Sequence, residues 1–334
     1  MTHVRQVWMD AVREACILLV MLWHGALVME WLGLPVPAGL TAFNNAFAPF
    51  RIPFLTFLSG MLLERALKKP TGMFIRGKIF SLYWPYLLWS LLFLAVRGTL
   101  WPERALTILW KPETYLWFLH NLFLFYLAFL ALCRLRIPLL PVAVASLLLA
   151  EFGTDQLAVA RALFLFAFFL LGHLAQSRNW IGRVPMPILV AAGAAAIAGA
   201  GAGLTGHEMR YQLMFAWAPL ALIVVVLALA PRYRPLPGLQ FLQWIGANSI
   251  VFYASHMTFQ MLAGRLMQRA GVTEIWMYLL LPLAVSFLGA SAMQAARARW
   301  HLAGLPFDLG VLRQWRASAP RPGARGEPPR RTGG

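Results

Sequence analysis

From Val7 to Arg297 the chain is a succession of apolar runs broken by short turns. An α-helix needs about 20 predominantly apolar residues to cross a hydrocarbon core of roughly 30 Å, and runs of that length recur almost from end to end. Inside a bilayer each crossing segment must satisfy its own backbone N–H and C=O groups, which single segments do only as helices. With 60% hydrophobic and 12% charged side chains in 334 residues, there is no room for a separate soluble domain. The expected fold is an all-α integral membrane protein.

The apolar pattern predicts about ten transmembrane helices, at residues 7–33, 42–64, 74–96, 115–133, 137–152, 157–175, 186–205, 211–230, 241–263 and 275–297. The fifth is the shortest. The breaks carry Pro and Gly punctuation: "LPVPAG" after the first span, "KKPTG" after the second, "RIP" after the fourth, "RVPMP" before the seventh and "PRYRPLPG" after the eighth.

Charge tests this topology independently, because cytoplasmic loops carry an excess of Lys and Arg. One side collects Arg5 and Arg13, the cluster Arg65, Lys68, Lys69, Arg76 and Lys78, then Arg134 and Arg136, Arg178 and Arg183, Arg232 and Arg234, and the arginine-rich end of the chain. On the other side Arg97, Arg104, Lys111, Arg161, Arg210, Arg265 and Arg269 are offset by Glu30, Glu103, Glu113, Glu151, Asp155, Glu208 and Glu274. Both termini are therefore expected in the cytoplasm. The formal charge of +17 is distributed over inner loops rather than gathered on a folded domain, so nucleic acid is not the expected partner. Anionic lipid or a phosphorylated ligand suits the inner clusters better.

Cys16 and Cys133 are the only cysteines, too few for a disulfide framework or a thiolate metal site. The first span is too long for a signal peptide and lacks a small-residue cleavage site. Residues 1–300 are expected to form the membrane domain. Residues 301–334, rich in Arg, Pro and Gly, read as a disordered cytoplasmic tail. The small residues of "AAGAAAIAGAGAGL" in the seventh span suit close helix packing.

Ionisable groups within spans are costly, and they mark candidate sites. His24 lies deep in the first span, in "ILLVMLWHGALVMEW". Arg13 precedes it by close to three helical turns, so both project from one face about 16 Å apart, and Asp10 is one turn from Arg13. In the second span Arg51, flanked by Pro49 and Pro53, sits at a depth similar to that of His24. Two helices joined by a short connection pack as antiparallel neighbours, so His24 and Arg51 are expected to share a cavity. The fourth span offers Trp117, His120 and Asn121. The ninth offers Asn248, Ser249, Tyr253 and His256, with Ser249, Tyr253 and His256 on an i, i+4, i+7 stripe.

A neutral imidazole near its ordinary pKa accepts a proton from an alcohol without a metal. No HxxxH or HxxE pair lies at one depth, and nearby guanidinium groups would oppose a cation, so no metal is expected. Neither a G-x-S-x-G elbow nor a P-loop is present.

Four segments, in order, carry a resemblance: Asp10-x-x-Arg13 followed by His24, "FRIPFLTFLSG" in the second span, "YLWFL" opening the fourth and "NSIVFYASH" in the ninth. Over about residues 1–300 the chain resembles the membrane-bound acyltransferase 3 family, bacterial inner-membrane enzymes that O-acylate, most often O-acetylate, the sugars of surface glycans. The resemblance implies ten helices, an essential His24 supported by Arg13, and acetyl-CoA or another acyl-CoA delivered from the cytoplasm. It also implies that Arg65, Lys68, Lys69, Arg76 and Lys78 meet the CoA phosphates. One departure stands in "RGKIFSLYWPY", where Lys78 and Ser81 occupy the place of an Arg-x-x-Arg pair found in many relatives. Lysine binds phosphate as a point charge, without the arginine fork. No SGNH-type domain accompanies the membrane part, so transfer is expected to be finished there or by a separate partner.

The expected activity is O-acyl transfer from acyl-CoA to a hydroxyl of a surface polysaccharide or glycolipid. His24 is the expected base or acyl relay, Arg13 and Asp10 orient the donor end, and Arg51 meets developing negative charge. Trp117, His120, Asn121, Asn248, Ser249, Tyr253 and His256 are expected to line the acceptor side. A transporter or flippase for an anionic or sugar substrate is the competing reading, but the halves show no paired repeat of broken helices. A noncatalytic assembly protein would not need intramembrane His and Arg.

Overall fold

The structure, a computed structural model, describes residues 7–312 apart from Asp155, Glu208, Arg210 and the segment 235–239. Of residues 65–66 and 240–243 only the backbone is described, so Arg5, Arg210, the Arg65 side chain and the arginines from Arg313 onward lie outside the described residues. Among the described residues every regular element is helical and no strand occurs.

The chain runs through α1 (Val7–Trp31), α2 (Ala38–Met61), the short α3 (Leu63–Leu67), and α4 (Thr71–Lys78), which passes through a π-helical turn (Ile79–Tyr83) into α5 (Trp84–Arg97). A short α6 (Pro102–Thr107) precedes α7 (Trp117–Arg134), α8 (Leu139–Phe152), α9 (Leu157–Ser177), α10 (Met186–Leu204) and α11 (Trp217–Leu229). The last elements are α12 (Gln240–Ala247), α13 (Ser249–Arg269), α14 (Met277–Arg299) and a 3₁₀ turn, His301–Gly304.

Seven of these units are long and apolar enough to cross a membrane: α1, Thr71–Arg97, α7, α9, α10, Leu213–Arg232 and α14. The other three expected spans correspond to α2, α8 and α13, but the one expected at 241–263 is broken at Asn248, so that α12 takes its start and α13 runs on to Arg269. α8 is apolar but has only 14 residues. α2 and α13 are long enough, at 24 and 21 residues, but are diluted by polar groups. Arg51, Asn44 and two prolines interrupt α2, and His256, Ser255 and Gln260 interrupt α13. The two helices that least resemble ordinary spans thus carry residues expected at the site.

α1 packs against α2, α12, α13 and α14, while α2 packs in turn against α9, α10 and α11. Asp10, Glu14, Ile17, Met21, His24 and Val28 form one buried face of α1 at three- and four-residue spacing. Small residues set the closest approaches. A Cβ at Gly60 would lie 2.0 Å from the Phe169 carbonyl oxygen, and one at Gly172 would lie 2.0 Å from that of Phe57. α2 and α9 therefore meet backbone to backbone at two reciprocal positions, which glycine alone permits. Gly246 of α12 likewise sits against the Asp10 carbonyl, where a Cβ would come within 1.9 Å.

The π turn has a local cause. Pro85 has no N–H to donate, and in regular α-helix its ring would collide with the carbonyl four residues back, that of Ser81. Widening the turn over residues 79–83 relieves that clash without ending the helix.

Residues 301–312 depart from the expectation of an unstructured tail beginning at residue 301. Trp84 Nε1 donates to the Leu305 carbonyl at 2.8 Å, Trp89 Nε1 donates to that of Pro306 at 3.2 Å, and Phe307 is buried in a stack on Trp89. The Leu309 amide donates to the Phe80 carbonyl, so this strap lies along the π turn and α5. The composition argument missed it because the apolar residues of "HLAGLPFDLGVL" are too few for a span and find their partners, such as Trp89 for Phe307, only through the fold.

Candidate active site

His24 is almost fully buried at 3% exposure, and its Nδ1 lies 2.8 Å from Nε2 of His256, which is wholly buried on α13. The other nitrogen of His256, Nδ1, lies 3.0 Å from the Phe252 carbonyl oxygen. A carbonyl only accepts, so His256 Nδ1 carries the proton and donates it. With both rings neutral, His256 Nε2 is then the acceptor and His24 Nδ1 the donor. This chain leaves the lone pair of His24 on Nε2.

Several contacts hold the pair in register. Gln260, one turn beyond His256, donates to the Met21 carbonyl of α1 at 3.0 Å. Tyr115, in the turn before α7, donates its hydroxyl to the Ala254 carbonyl, and Tyr253 donates to the Tyr115 carbonyl at 3.2 Å. The Tyr115 ring meets His24 edge-on at 5.9 Å and His256 at 5.4 Å. The start of α7 is thereby tied to α13 beside the imidazoles.

His24 opens onto a cavity of about 300 Å³. Its walls include Arg51, Trp23, Tyr115, Trp117 and Tyr253, so the expected neighbourhood of His24 and Arg51 is present. The Arg51 guanidinium, buried at 5% exposure, lies 4.9 Å from the centre of the Trp23 ring. Among its polar and aromatic lining residues, Trp23, Tyr115, Arg161 on α9, and Tyr211 and Gln212 in the connection before α11 were not anticipated as site residues. Arg161 could have been found from the sequence, since it is a charge five residues into an apolar helix. Counted only as an outer-loop charge, it left no trace in the candidate set.

Other candidates are elsewhere. Arg13 pairs with Asp10 at 3.2 Å and reaches the Gly246 carbonyl at 3.5 Å, so this pair joins α1 to α12 and does not line the His24 cavity. The helical phase put Arg13 and His24 on one face, but their separation along the axis keeps them in different environments. His256 stands behind His24 rather than on the cavity wall. His120 packs on Tyr86 and Tyr83, with ring centres 5.2 and 6.4 Å away, and neither it nor the buried Asn121 reaches the cavity. Asn248 donates back to the Trp244 carbonyl at 2.8 Å and Ser249 opens α13, both away from the wall. The stripe on α13 was too generous because one helix face meets several neighbours at different depths.

A second cavity, of about 490 Å³, gathers Lys69, Arg76 and Lys78 with Phe74, Phe80 and Ser81 around the π turn. Asp308 and Gly310 of the strap close one side. Lys78 Nζ lies 3.4 Å from the centre of the Tyr126 ring, and the Arg76 guanidinium lies 5.1 Å from that of Phe80. Lys68 is exposed outside this wall. Among the described residues no group of three His, Cys, Asp or Glu could hold a metal ion.

A helical bundle with seven membrane-length apolar units and a buried imidazole pair, of which His24 lines a cavity, defines a polytopic membrane protein with a candidate site inside the bundle. The family model described as an acyltransferase domain matches residues 6–293, and the chain belongs to this acyltransferase 3 family of membrane acyltransferases. Comparison with curated proteins returned no match, and comparison with solved structures returned none either.

Proposed function

We propose that the protein is an O-acetyltransferase that moves an acetyl group from acetyl-CoA to a hydroxyl of a surface polysaccharide or glycolipid sugar. The single observation that carries this reading is the His24–His256 hydrogen bond beside the cavity, with His24 Nε2 left as the base. In the same reading α2, α8 and α13 complete ten spans, both termini are cytoplasmic, and the protein belongs to a bacterial-type inner membrane. The excess of Lys and Arg in the turns on one side, against balanced charges on the other, supports this orientation.

His24 Nε2 takes the proton of the acceptor hydroxyl as its oxygen attacks the thioester carbonyl. The His256 ring keeps the His24 Nδ1 proton engaged while positive charge builds on His24. Arg51 meets the negative charge that gathers on the carbonyl oxygen, in a buried setting where a fixed cation is worth more than in water. When the C–S bond breaks, His24 returns the proton to the CoA sulfur and the sugar ester remains. Lys69, Arg76 and Lys78 supply positive charge for the CoA phosphates, with Arg65 and Lys68 nearby in sequence. Arg13 and Asp10 act at a distance by fixing the other end of α1.

Purified protein with labelled acetyl-CoA and a glycan acceptor should transfer label, and His24→Ala should abolish transfer while retaining membrane insertion. Undiminished transfer by that variant would remove His24 from the reaction.

A further inference from the structure

The His24 cavity has two cationic walls, and only one is used by the chemistry above. Arg51 stands beside His24 on the α1–α2 side. Arg161 enters from α9, four residues after its first residue, which places it about 6 Å along the axis from the helix start. Its guanidinium lies over the Trp117 ring, 3.7 Å from the ring centre, within cation–π range. Its Nε is buried and has no hydrogen-bond partner. Among the described lining residues there is no Asp or Glu. An arginine held over a tryptophan ring, with a donor unsatisfied and no carboxylate among the described residues of the cavity wall, is organised to receive an anion from outside the chain.

The rest of the wall limits what that anion is attached to. Trp117, Tyr115, Tyr211 and Tyr253 offer flat apolar faces with polar edges, and Gln212 adds an amide. Such walls suit a sugar ring, and a cavity of about 300 Å³ is small, near the lower end of ligand sites. Glu151 accepts a hydrogen bond from the Leu213 amide at 2.9 Å, so the connection carrying Tyr211 and Gln212 is anchored to α8.

We propose that Arg161 selects an acceptor sugar bearing a carboxylate or phosphate group, bound so that a hydroxyl of the same residue faces His24. This substrate class rests on the acyl-transfer reading of the cavity. The anionic group docks on the Arg161 fork beside Trp117. The ring lies against the aromatic wall, and the hydroxyl to be acylated points toward His24 Nε2.

Isothermal titration of the full-length protein in lipid nanodiscs tests this with methyl β-D-glucuronide, glucose 1-phosphate and the neutral methyl β-D-glucoside. At least one anionic glycoside should bind about tenfold or more tighter than the neutral one, a difference of roughly 1.4 kcal/mol. Which of the two does so separates carboxylate from phosphate as the recognised group. Arg161→Gln should erase the preference, and Arg161→Lys should keep part of it through charge without the fork. No binding of either anionic glycoside, equal affinity for the neutral one, or a preference that survives Arg161→Gln overturns the proposal. The wild-type comparison decides even if a variant fails to fold. Label transfer from acetyl-CoA that depends on His24 but ignores acceptor charge would refute the anionic class alone. Absence of label transfer from acetyl-CoA to any acceptor, charged or neutral, would refute the acyl-transfer reading instead.

Discussion

His256 donates from Nδ1 to the Phe252 carbonyl and, 2.8 Å from its other nitrogen, accepts the Nδ1 proton of His24. One helical carbonyl on α13 thus determines which nitrogen of an imidazole on α1 bears the lone pair. A residue that fixes a tautomer is expected to act on turnover more than on substrate binding. His256→Ala should lower kcat about 10²–10⁴-fold, the range for loss of acid–base assistance, with acceptor KM little changed. His256→Gln, whose side-chain oxygen can still accept from His24 Nδ1, should recover part of the loss. A rise in KM at constant kcat would show that His256 contacts acceptor instead.

Arg51 is placed to meet charge that exists only during transfer. Arg51→Ala should reduce kcat about 10²–10³-fold, as removal of an oxyanion donor does elsewhere. Arg51→Lys should restore less than full activity, because an ammonium lacks the planar fork of donors that the guanidinium over Trp23 presents. Steady-state kinetics with acetyl-CoA and a fixed acceptor measure both.

The basic cavity at the π turn predicts a separable effect on the donor. Lys69→Ala, Arg76→Ala and Lys78→Ala should each raise KM for acetyl-CoA by about fivefold, equivalent to roughly 1 kcal/mol per surface cation. Increasing salt should weaken donor binding in the parent protein, and less so in the triple variant. Acceptor KM should not follow the same trend.

Gly60 and Gly172 make a prediction about stability alone. Alanine at either position places a methyl 2.0 Å from a backbone oxygen across the α2–α9 contact. The helices must separate, at a cost of about 1–3 kcal/mol, visible as a lower thermal unfolding temperature in detergent. Arg51 moves with α2, so activity should fall alongside stability.

Phe307 tests the strap. Phe307→Ala removes a buried ring stacked 5.6 Å from Trp89 and should cost about 3–5 kcal/mol if the cavity left behind does not collapse. Because Asp308 and Gly310 border the basic cavity, a milder Phe307→Leu should raise KM for acetyl-CoA more than that for acceptor.

The helical membrane class was legible in the sequence because it follows from local apolarity: a run of such residues dictates its own backbone hydrogen bonding whatever its neighbours do. The order of motifs around His24, Arg51, Trp117 and Tyr253 likewise pointed to the family and to part of the cavity wall. Depth along a helix can be counted from sequence, so His24 and Arg51 were placed together before any tertiary information. The same counting placed Arg13 beside Asp10 but failed for Asn248 and Ser249, because facing direction alone does not say which neighbour a helix meets at each level.

By itself the sequence determined the helices, the alternation of charge between their ends, and the presence of imidazole and guanidinium groups where the bilayer disfavours them. Only the tertiary structure decided that His256 turns to His24 instead of the cavity, that Arg161 joins the wall, and that residues 301–312 pack along α5. Those outcomes depend on which side chains meet across helices far apart in the chain. Such contacts arise from interhelical packing and hydrogen-bond satisfaction, which local periodicity does not encode.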